Sequence, residues 1–408
     1  MPVGSDLAAI VADFFKHTAG PIGVAVSGGG DSVALLHLLA AGRRDLHVVS
    51  VDHGLRPEAA AEAAGVAQMA AGLGLAHHTL PWRGWDGHGN LMDEARRARQ
   101  RLIAGWALAR GICTVALGHT ADDQAETVVM RLARGSGVDG LAGMAPHHAA
   151  LGVTWVRPLL SVRRQALRDD LVARGVDWVD DPTNDDPHYD RIRVRQALLP
   201  LARLGITVEG LTDTAARMTL ARQVLDHAVQ RLARDAVSVE AGEVCIRCEP
   251  LLAEPLETQL RLLSASIRWI ARTDYRPRLA AVMATRAAVL AGKRRSLAGC
   301  LLGRAGAVIR ITREPRAVER AVSATTGLWD NRWRVTGPHA PGLEVRALGA
   351  GGLALCPNGR SIGVSRAALV VSPAIWQDTA LISAPLAAPD GVWTADIAAG
   401  FASFLVSH

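Results

Sequence analysis

The first 160 residues alternate between short apolar runs and longer stretches with helical periodicity. The apolar runs are Ile22–Val26, Leu46–Val51, Cys113–Leu117 and Val153–Val156. An alternation of strands and helices predicts an α/β fold, with a parallel sheet covered by helices on both faces. Polar clusters follow the first three runs, and ligands bind such sheets at the carboxyl ends of the strands. The pattern therefore predicts a ligand site at that edge.

The pattern changes near residue 205. Two long helical segments, Leu211–Ala236 and Pro255–Ala291, follow without intervening strands. Beyond Ser296 come short alternating stretches separated by Gly and Pro, which are typical of strands. The sequence thus predicts three domains: an α/β domain over residues 1–205, a helical domain over 206–295 and a small strand-rich domain over 296–408.

Length and composition exclude several classes of protein. A chain of 408 residues that is 49% hydrophobic can bury a core in each domain, which excludes disordered chains and disulfide scaffolds. No uncharged apolar run reaches the 18 residues of a membrane span. Residues 1–20 carry Asp6, Asp13 and Lys16, whereas a signal peptide has a basic region followed by an apolar stretch, so we expect no export signal. The five cysteines are scattered, as is usual for reduced thiols. We expect a cytoplasmic protein without membrane association.

A glycine-rich loop joins the first predicted strand to a helix. Ser27–Ser32 reads SGGGDS and precedes the apolar helix Val33–Ala40. Glycines let several backbone N–H groups point into one concavity, and the helix N-terminus adds partial positive charge. The loop lacks the lysine of the Walker pattern. It predicts a phosphate-binding site; the alternative is a plain turn with Asp31 or Ser32 as the helix cap.

A second polar cluster, Gly118–Thr127, follows the third apolar run. A helix should begin near Asp122, which puts Asp123 and Glu126 on one face, where like charges repel. Mg²⁺ or a cationic substrate would compensate this repulsion. The alternative is that the helix dipole favours two acids in the first turn. His119 could ligate a metal, contact phosphate or simply end the strand.

The hexapeptide Ser27–Ser32 resembles the SGGxDS loop of the N-type ATP pyrophosphatase, or PP-loop, superfamily, whose members cleave ATP between its α- and β-phosphates. The resemblance implies a Rossmann-like catalytic domain with a parallel sheet. It also implies that Asp31 binds Mg²⁺, since a carboxylate beside a polyphosphate is repelled unless a cation lies between them. The residues that the resemblance assigns to ATP are Ser27, Gly28, Gly29, Gly30, Asp31 and Ser32.

Six motifs together are similar to those of tRNA(Ile)-lysidine synthetases, over about the first 200 residues. They are DHGLR at Asp52–Arg56, GNLMDEARRAR at Gly89–Arg99, GHTADDQAET at Gly118–Thr127, RLARGSGVDGLAGM at Arg131–Met144, RPLL at Arg157–Leu160 and DPTNDDPHYDRIRVR at Asp181–Arg195. The resemblance implies a ligase that forms a C–N bond. ATP would adenylate the C2 carbonyl of the wobble cytidine in tRNA(Ile) with a CAU anticodon, and free L-lysine would then displace AMP.

The same resemblance assigns site residues. Catalytic roles fall to Asp31, Asp123, Glu126 and Arg191, and substrate contacts to Arg96, Arg99, His119, Asp123, Glu126, Asn184 and Arg195. For Arg96 and Arg99 there is a second interpretation. They lie on a helix where Glu94 could pair with Arg97 or Arg99 in a surface salt bridge.

The charge distribution predicts an RNA partner. The net charge is +6, and residues 261–304 contain ten basic residues against one acid, Asp274. A helical segment with this imbalance suits tRNA phosphates. The alternative is a solvated face in an arginine-rich chain. The residues expected to contact tRNA are Arg268, Arg272, Lys293, Arg294 and Arg295.

Other functions of this superfamily fit the residues less well. A thiolating enzyme needs a reactive cysteine beside the adenylate, and the predicted catalytic domain has only Cys113, inside a predicted buried strand. A non-catalytic adenine-nucleotide-binding module would not need the acidic pair Asp123 and Glu126. Cys245 and Cys248 have metal-ligand spacing but no second pair. A homodimer is an expectation that the sequence leaves open.

Overall fold

The contacts of the computed structural model group the chain into two units. Residues 6–42, 45–54, 59–83, 85, 91–179, 190–273, 275–356 and 363–407 are described. The units are Met1–Arg222 and Gln223–His408, and each has its own apolar core. None of the helices in these ranges is long and apolar enough to cross a membrane.

A six-stranded sheet lies at the centre of the first unit, in the order β3-β2-β1-β4-β6-β5. Its strands are β1 (Ile22–Ala25), β2 (Leu46–Asp52), β3 (Ala76–Pro81), β4 (Thr114–Leu117), β5 (His147–Ala150) and β6 (Val153–Val156). All neighbouring strands pair in parallel except β5 and β6. The predicted α/β fold is thus confirmed, and β1, β2, β4 and β6 match the four predicted strands to within one residue at each end.

Helices cover both faces of this sheet. They are α1 (Leu7–Lys16), α2 (Gly30–Gly42), α3 (Ala59–Gly72), α4 (Leu91–Leu108), α5 (Ala121–Ala133), α6 (Val138–Leu141), α7 (Arg164–Ala173), α8 (Asp190–Arg203) and α9 (Val208–Ala236), whose last part belongs to the second unit. Ile22 and Val24 of β1 are buried in one apolar cluster with α2. Trp106 of α4 belongs to a second cluster with Val115 and Trp155. The central strands are buried on both faces, which explains why they are continuous apolar runs without a polar side.

The second unit contains three antiparallel sheets. They have the orders β7-β8-β11-β10-β9, β12-β15-β16-β17 and β13-β14-β18. The strands are β7 (Val237–Glu240), β8 (Glu243–Arg247), β9 (Arg295–Leu297), β10 (Cys300–Ala305), β11 (Val308–Arg313), β12 (Ser323–Ala324), β13 (Leu328–Trp329), β14 (Trp333–Thr336), β15 (Leu343–Ala347), β16 (Pro373–Gln377), β17 (Ala380–Ser383) and β18 (Thr394–Ile397). The helices are α10 (Cys248–Ala253), α11 (Leu256–Ala271), α12 (Leu279–Leu290), α13 (Pro315–Val318), α14 (Gly349–Ala354), α15 (Arg366–Val370) and α16 (Phe401–Ser407).

This arrangement differs from the predicted division at residue 295. Strand β8 lies within the segment predicted to be helical, yet it pairs with β11 beyond that boundary. One apolar cluster also contains Val229, Leu262 and Phe404, which fall on both sides of it. The sequence pattern predicted separate domains because helices and strands alternate in blocks here. Pairing between strands that are distant in sequence joins those blocks into one unit.

Candidate active site

The predicted phosphate loop lies between β1 and α2, at the carboxyl edge of the sheet. Gly28 has φ +91°, a conformation that side chains disfavour. The Ser32 hydroxyl donates to the carbonyl of Gly29 (2.9 Å) and accepts from the backbone N–H of Ser27 (3.1 Å). Within the described residues, the backbone N–H groups of Gly28, Gly29 and Gly30 donate to no protein acceptor. The loop is therefore held in shape by its own serine, while N–H groups at the start of a helix are available for an anion.

Gly118 brings the end of β4 against this loop. A Cβ atom at residue 118 would lie 2.8 Å from the carbonyl oxygen of Asp31 and 3.0 Å from the Cα of Ser32. Both neighbours are backbone atoms, which cannot rotate away. Only glycine allows β4 to lie this close to the first turn of α2.

We predict that Gly118→Ala destabilises the protein by about 1–3 kcal/mol, because the added methyl group forces the two backbone segments apart. Urea unfolding measures the change. Gly105→Ala is the matched control, since its Cβ would meet nothing within 4 Å on helix α4. That control should be neutral or slightly stabilising. Equal effects of the two substitutions would contradict the close approach at residue 118.

The acidic pair lies on the first two turns of α5. The helix begins at Ala121, one residue before the predicted start, with Thr120 as its N-cap. Asp123 completes a capping box: its Oδ2 accepts from the backbone N–H (2.8 Å) and the hydroxyl (2.9 Å) of Thr120. Glu126 is fully buried one turn later. Asp123 therefore caps the start of the helix, as one interpretation of the acids predicts. It also contacts Arg191, a cationic partner of Glu126, so the interpretation as a charged site has a basis too.

Three arginines neutralise these carboxylates. Arg191 donates to Glu126 Oε2 (2.6 Å) and to Asp123 Oδ1 (2.8 Å), and Arg195 donates to Glu126 Oε1 (2.8 Å). Arg164 donates from Nη2 to Asp123 Oδ1 (2.8 Å) and from Nε to Asp31 Oδ2 (2.8 Å). The structure therefore brings together Asp31 of the phosphate loop, the acidic pair, and Arg191 and Arg195 of α8.

Arg164 was missed by the sequence analysis. It follows the RPLL motif by a few residues and begins α7, whose backbone N–H at Arg164 donates to Asp122 (2.7 Å). The neighbouring Arg163 pairs with Asp122 and Glu209. A signal was present in the sequence, because two buried acids require cations and two adjacent arginines follow the RPLL motif. The sequence did not show which of the two arginines pairs with which acid.

Burial and the arginines act in opposite directions on the carboxylates. Burial raises the pKa of Asp31, and the lowering by Arg164 does not cancel it. For Asp123, burial also acts to raise the pKa, but Arg191, Arg164 and the Thr120 N–H bond together hold it below its usual value. Asp123 is therefore ionised at neutral pH, although it is buried.

His119 lies just beyond the end of β4 with its Nδ1 buried, and this atom has no hydrogen-bond partner among the residues that the structure describes. Burial lowers its pKa to about 4, and the nearby Arg157 and Arg191 add to this effect against the attraction of Asp123. The imidazole is neutral at physiological pH. It can accept or donate a hydrogen bond to a substrate, but it carries no charge for phosphate.

We predict that His119 makes stability depend on pH between about 6.5 and 4. Its folded pKa lies below the unfolded value of 6.5, so the unfolded chain binds the proton first. The stability contribution is complete above pH 6.5 and is lost as the pH falls to about 4, by an amount on the order of 3 kcal/mol. Comparing wild type with His119→Gln in urea unfolding at pH 7 and pH 4.5 measures it. Parallel losses in the two proteins would contradict the assignment.

Arg96 and Arg99 lie on α4. Glu94 pairs with Arg97 (3.1 Å) and Arg101 (3.8 Å), and not with Arg99. Arg99 is half-buried and forms no ion pair with the described residues; burial and the charges of Arg96 and Arg191 lower its pKa. A half-buried cation beside other cations favours an anionic ligand, so substrate contact stays the prediction for both. Asn184 lies outside the described residues.

The basic segment of the second unit is only partly accessible. Arg272, Lys293, Arg294 and Arg295 are exposed, as contact with tRNA requires. Arg268 is 7% exposed and its guanidinium lies over the ring of Phe404. The prediction that Arg268 contacts tRNA phosphates therefore needs correction, because helix α11 turns this residue into the core.

The cysteines carry one correction. Cys113 is exposed, whereas it was predicted to lie inside a buried strand. It immediately precedes β4, at the opposite end of that strand from Gly118, so it still lies away from the phosphate loop. Cys245 and Cys248 are buried, and burial raises the pKa of the Cys245 thiol to about 12. Among the described residues no group of three or more His, Cys, Asp or Glu side chains could hold a metal ion.

Comparison with known proteins shows the family of the chain. The profile of the PP-loop domain matches residues 3–202. The tRNA(Ile)-lysidine synthase of Ruegeria pomeroyi is 48% identical over 97% of this chain and 96% of its own length. The chain belongs to the tRNA(Ile)-lysidine synthase family. The family members of Hyphomonas neptunium and Methylobacterium sp. (strain 4-46) are 39% and 38% identical, over 63% and 74% of this chain and 71% and 92% of their own lengths.

Among solved structures, the U34-tRNA thiolase NcsA from Methanococcus maripaludis aligns with a TM-score of 0.44 at 15% identity, covering 52% of this chain and 78% of that one. This likeness is too weak to bear on function. The predicted membership of the lysidine synthase family is confirmed by the Ruegeria pomeroyi relative, which aligns over 97% of the chain.

Proposed function

We propose that this chain is a tRNA(Ile)-lysidine synthase, a ligase that uses ATP to join lysine to the wobble cytidine of tRNA(Ile) with a CAU anticodon. The observation that carries the proposal is the short bridge between two half-sites: Arg164 contacts both Asp31 at the phosphate loop and Asp123 of the acidic pair. An enzyme that adenylates one substrate and then adds an amine needs these two half-sites side by side.

The first step requires ATP at the phosphate loop. The free N–H groups of the loop would hold the pyrophosphate that leaves when the C2 carbonyl oxygen attacks the α-phosphate. Asp31 suits Mg²⁺, because this ion is bound by one or two carboxylates together with phosphate oxygens, and Arg164 contacts only Oδ2 of Asp31. The bound ion would stabilise negative charge on the phosphates.

The second step requires an unprotonated lysine amine. Asp123 and Glu126 would bind the ammonium group, and a carboxylate would take a proton from the attacking nitrogen. The C2–N bond then forms while the C2–O bond to AMP breaks. Arg191 and Arg195 would hold the Glu126 carboxylate in position. Arg96 and Arg99 would contact phosphate or adenylate. His119 and Asn184 would contact the substrates of the reaction.

The exposed basic residues of the second unit are proposed to bind tRNA. We predict that Arg294→Glu with Arg295→Glu weakens tRNA binding by at least tenfold at low salt and flattens its salt dependence, because phosphate contacts release counterions. The KM for lysine should not change. Filter binding at several salt concentrations measures the effect.

The matched control is Arg316→Glu with Arg320→Glu, at two exposed arginines elsewhere in the same unit. It gives the same change in net charge. It should leave tRNA affinity within about twofold. If both double variants lose affinity equally, the effect is one of total charge, and residues 293–295 are not a specific contact.

Incubation with ATP, Mg²⁺, radiolabelled lysine and total bacterial tRNA tests the function. We expect label in RNA and stoichiometric release of AMP and pyrophosphate. Label only from a cysteine-derived sulfur donor would support the thiolation alternative, and ATP binding without turnover would support a nucleotide-binding module. ADP as the product would exclude adenylation. We expect the reaction in the cytoplasm, where tRNA and free lysine are found; a homodimer stays a prediction.

A further inference from the structure

Arg164 is the point at which the two half-sites meet. Its guanidinium contacts carboxylates on two helices: Nε lies 2.8 Å from Asp31 Oδ2 on α2, and Nη2 lies 2.8 Å from Asp123 Oδ1 on α5. Its Nη1 lies 3.6 Å from Glu126 Oε1. These carboxylates raise the pKa of Arg164 although burial acts to lower it. The residue is thus a fixed cation between the predicted ATP site and the predicted lysine site.

The acceptor capacity of Asp123 is filled in this arrangement. A carboxylate accepts about four hydrogen bonds. Oδ2 accepts the backbone N–H and the hydroxyl of Thr120, and Oδ1 accepts one N–H each from Arg164 and Arg191. A lysine ammonium that donates a hydrogen bond to Asp123 must therefore displace one of the two arginines.

The charges lead to the same conclusion. Asp31, Asp123 and Glu126 are balanced by Arg164, Arg191 and Arg195. A further ammonium would leave one excess positive charge at a largely buried position, which is costly unless a cation moves or an anion enters. Arg164 is the arginine that also contacts Asp31, so ATP binding affects it directly. Phosphate oxygens would offer its guanidinium new acceptors, and Mg²⁺ would compete for Asp31.

We infer that Arg164 is a positioning residue that makes lysine binding depend on ATP. Without nucleotide, its guanidinium occupies the acceptor site and supplies the charge that lysine would supply. With Mg²⁺ and ATP bound, the guanidinium turns toward the phosphates and the acidic pair becomes available to the ammonium group. Lysine then binds next to an adenylated tRNA and is not held unproductively beforehand. The inference rests on the proposed function, since it assumes that ATP and lysine are the ligands.

Removal of this side chain should leave the fold intact. The start of α7 is held separately, by the backbone N–H of Arg164 to Asp122 and by the side chain of Arg163 to Asp122 and Glu209. Arg164→Met keeps most of the aliphatic length. Arg163→Met is the matched control, because Arg163 is adjacent, cationic and bound to acids outside the acidic pair.

The test measures binding of radiolabelled lysine to the full chain by equilibrium dialysis, with and without Mg²⁺ and α,β-methylene-ATP. For wild type and Arg163→Met we expect lysine affinity at least tenfold higher with the nucleotide. For Arg164→Met we expect tight lysine binding in both conditions, because the ammonium replaces the missing cation. Arg164→Lys should restore part of the dependence on nucleotide.

Four outcomes would overturn the inference. Two concern wild type: equal lysine affinity with and without nucleotide, or no lysine binding in the presence of nucleotide. Two concern Arg164→Met: the same dependence on nucleotide as wild type, or weaker lysine binding than wild type under both conditions. The assay of lysine incorporation into tRNA separates the two hypotheses. If incorporation succeeds while the dialysis result fails, only the role of Arg164 is wrong; if incorporation fails, the proposed function is wrong.

Discussion

Asp31→Ala lowers the rate of pyrophosphate release by at least 100-fold and leaves tRNA affinity within about twofold of wild type. This is the largest effect that we expect of any single substitution. Asp31 lies in the first turn of α2 beside the phosphate loop, and it offers one carboxylate oxygen that no described arginine contacts. Loss of one group that stabilises charge in a transition state typically costs 100- to 1,000-fold in rate.

Asp31→Asn distinguishes charge from shape, because the amide keeps the size and one hydrogen-bond acceptor for Arg164. We expect it to be nearly as inactive as the alanine variant. Asp169→Ala on α7 is the control, since this exposed acid accepts only from Gln165 among the hydrogen bonds described for it. Release of pyrophosphate is measured under single-turnover conditions and tRNA affinity by filter binding. Equal loss of both quantities would show that Asp31 is structural.

Glu126→Gln raises the KM for lysine ten- to hundredfold while exchange of pyrophosphate into ATP continues in the presence of tRNA. Loss of a charge-assisted hydrogen bond to an ammonium group costs about 1.5–3 kcal/mol, which gives that range. Glu126 is fully buried and paired with Arg191 and Arg195. The variant therefore also removes the acid that Arg195 contacts and one of the two acids that Arg191 contacts. We therefore expect a lower melting temperature as well.

The effect of Glu126→Gln on the KM for lysine can be separated from its effect on stability. Glu209→Gln removes one of the two acid partners of Arg163 and does not alter the acidic pair. It should lower stability slightly and leave the KM for lysine unchanged. Kinetics are measured well below the melting temperature of each variant. If Glu126→Gln loses pyrophosphate exchange as completely as Asp31→Ala, the acidic pair belongs to the adenylation step, and its assignment to lysine is wrong.

Together with the Arg164 inference, these variants describe an order of events. In the proposed mechanism Asp31 acts on the nucleotide and Glu126 acts on the amine. The guanidinium of Arg164 lies between these two carboxylates. Asp123 has two contacts of different kinds. It accepts hydrogen bonds from Arg164 and Arg191, and it is also the capping-box partner of Thr120 at the N-terminus of α5. Substitution of Asp123 would therefore disturb both the helix and the site, which makes Glu126 the more informative position.

The sequence by itself determined the central strands, the phosphate loop and the start of α5. Each of these depends on residues that are adjacent along the chain: an apolar run for a buried strand, glycines for a tight turn, and Thr120 three residues before Asp123 for a helix start. The same local signals failed at the exposed strands β3 and β5. Both lie at sheet edges, where polar residues such as His77 and His147 replace the apolar pattern.

Only the tertiary structure decided how charges pair and which arginines are accessible. Arg164 lies 133 residues from Asp31 and 41 from Asp123, and Arg191 lies 68 from Asp123. Arg268 is buried by a contact with Phe404 at the far end of the chain. A residue's charge is visible in the sequence, but Coulomb energy depends on distance and burial, and these follow from the order of strands in the sheet and the packing of the helices.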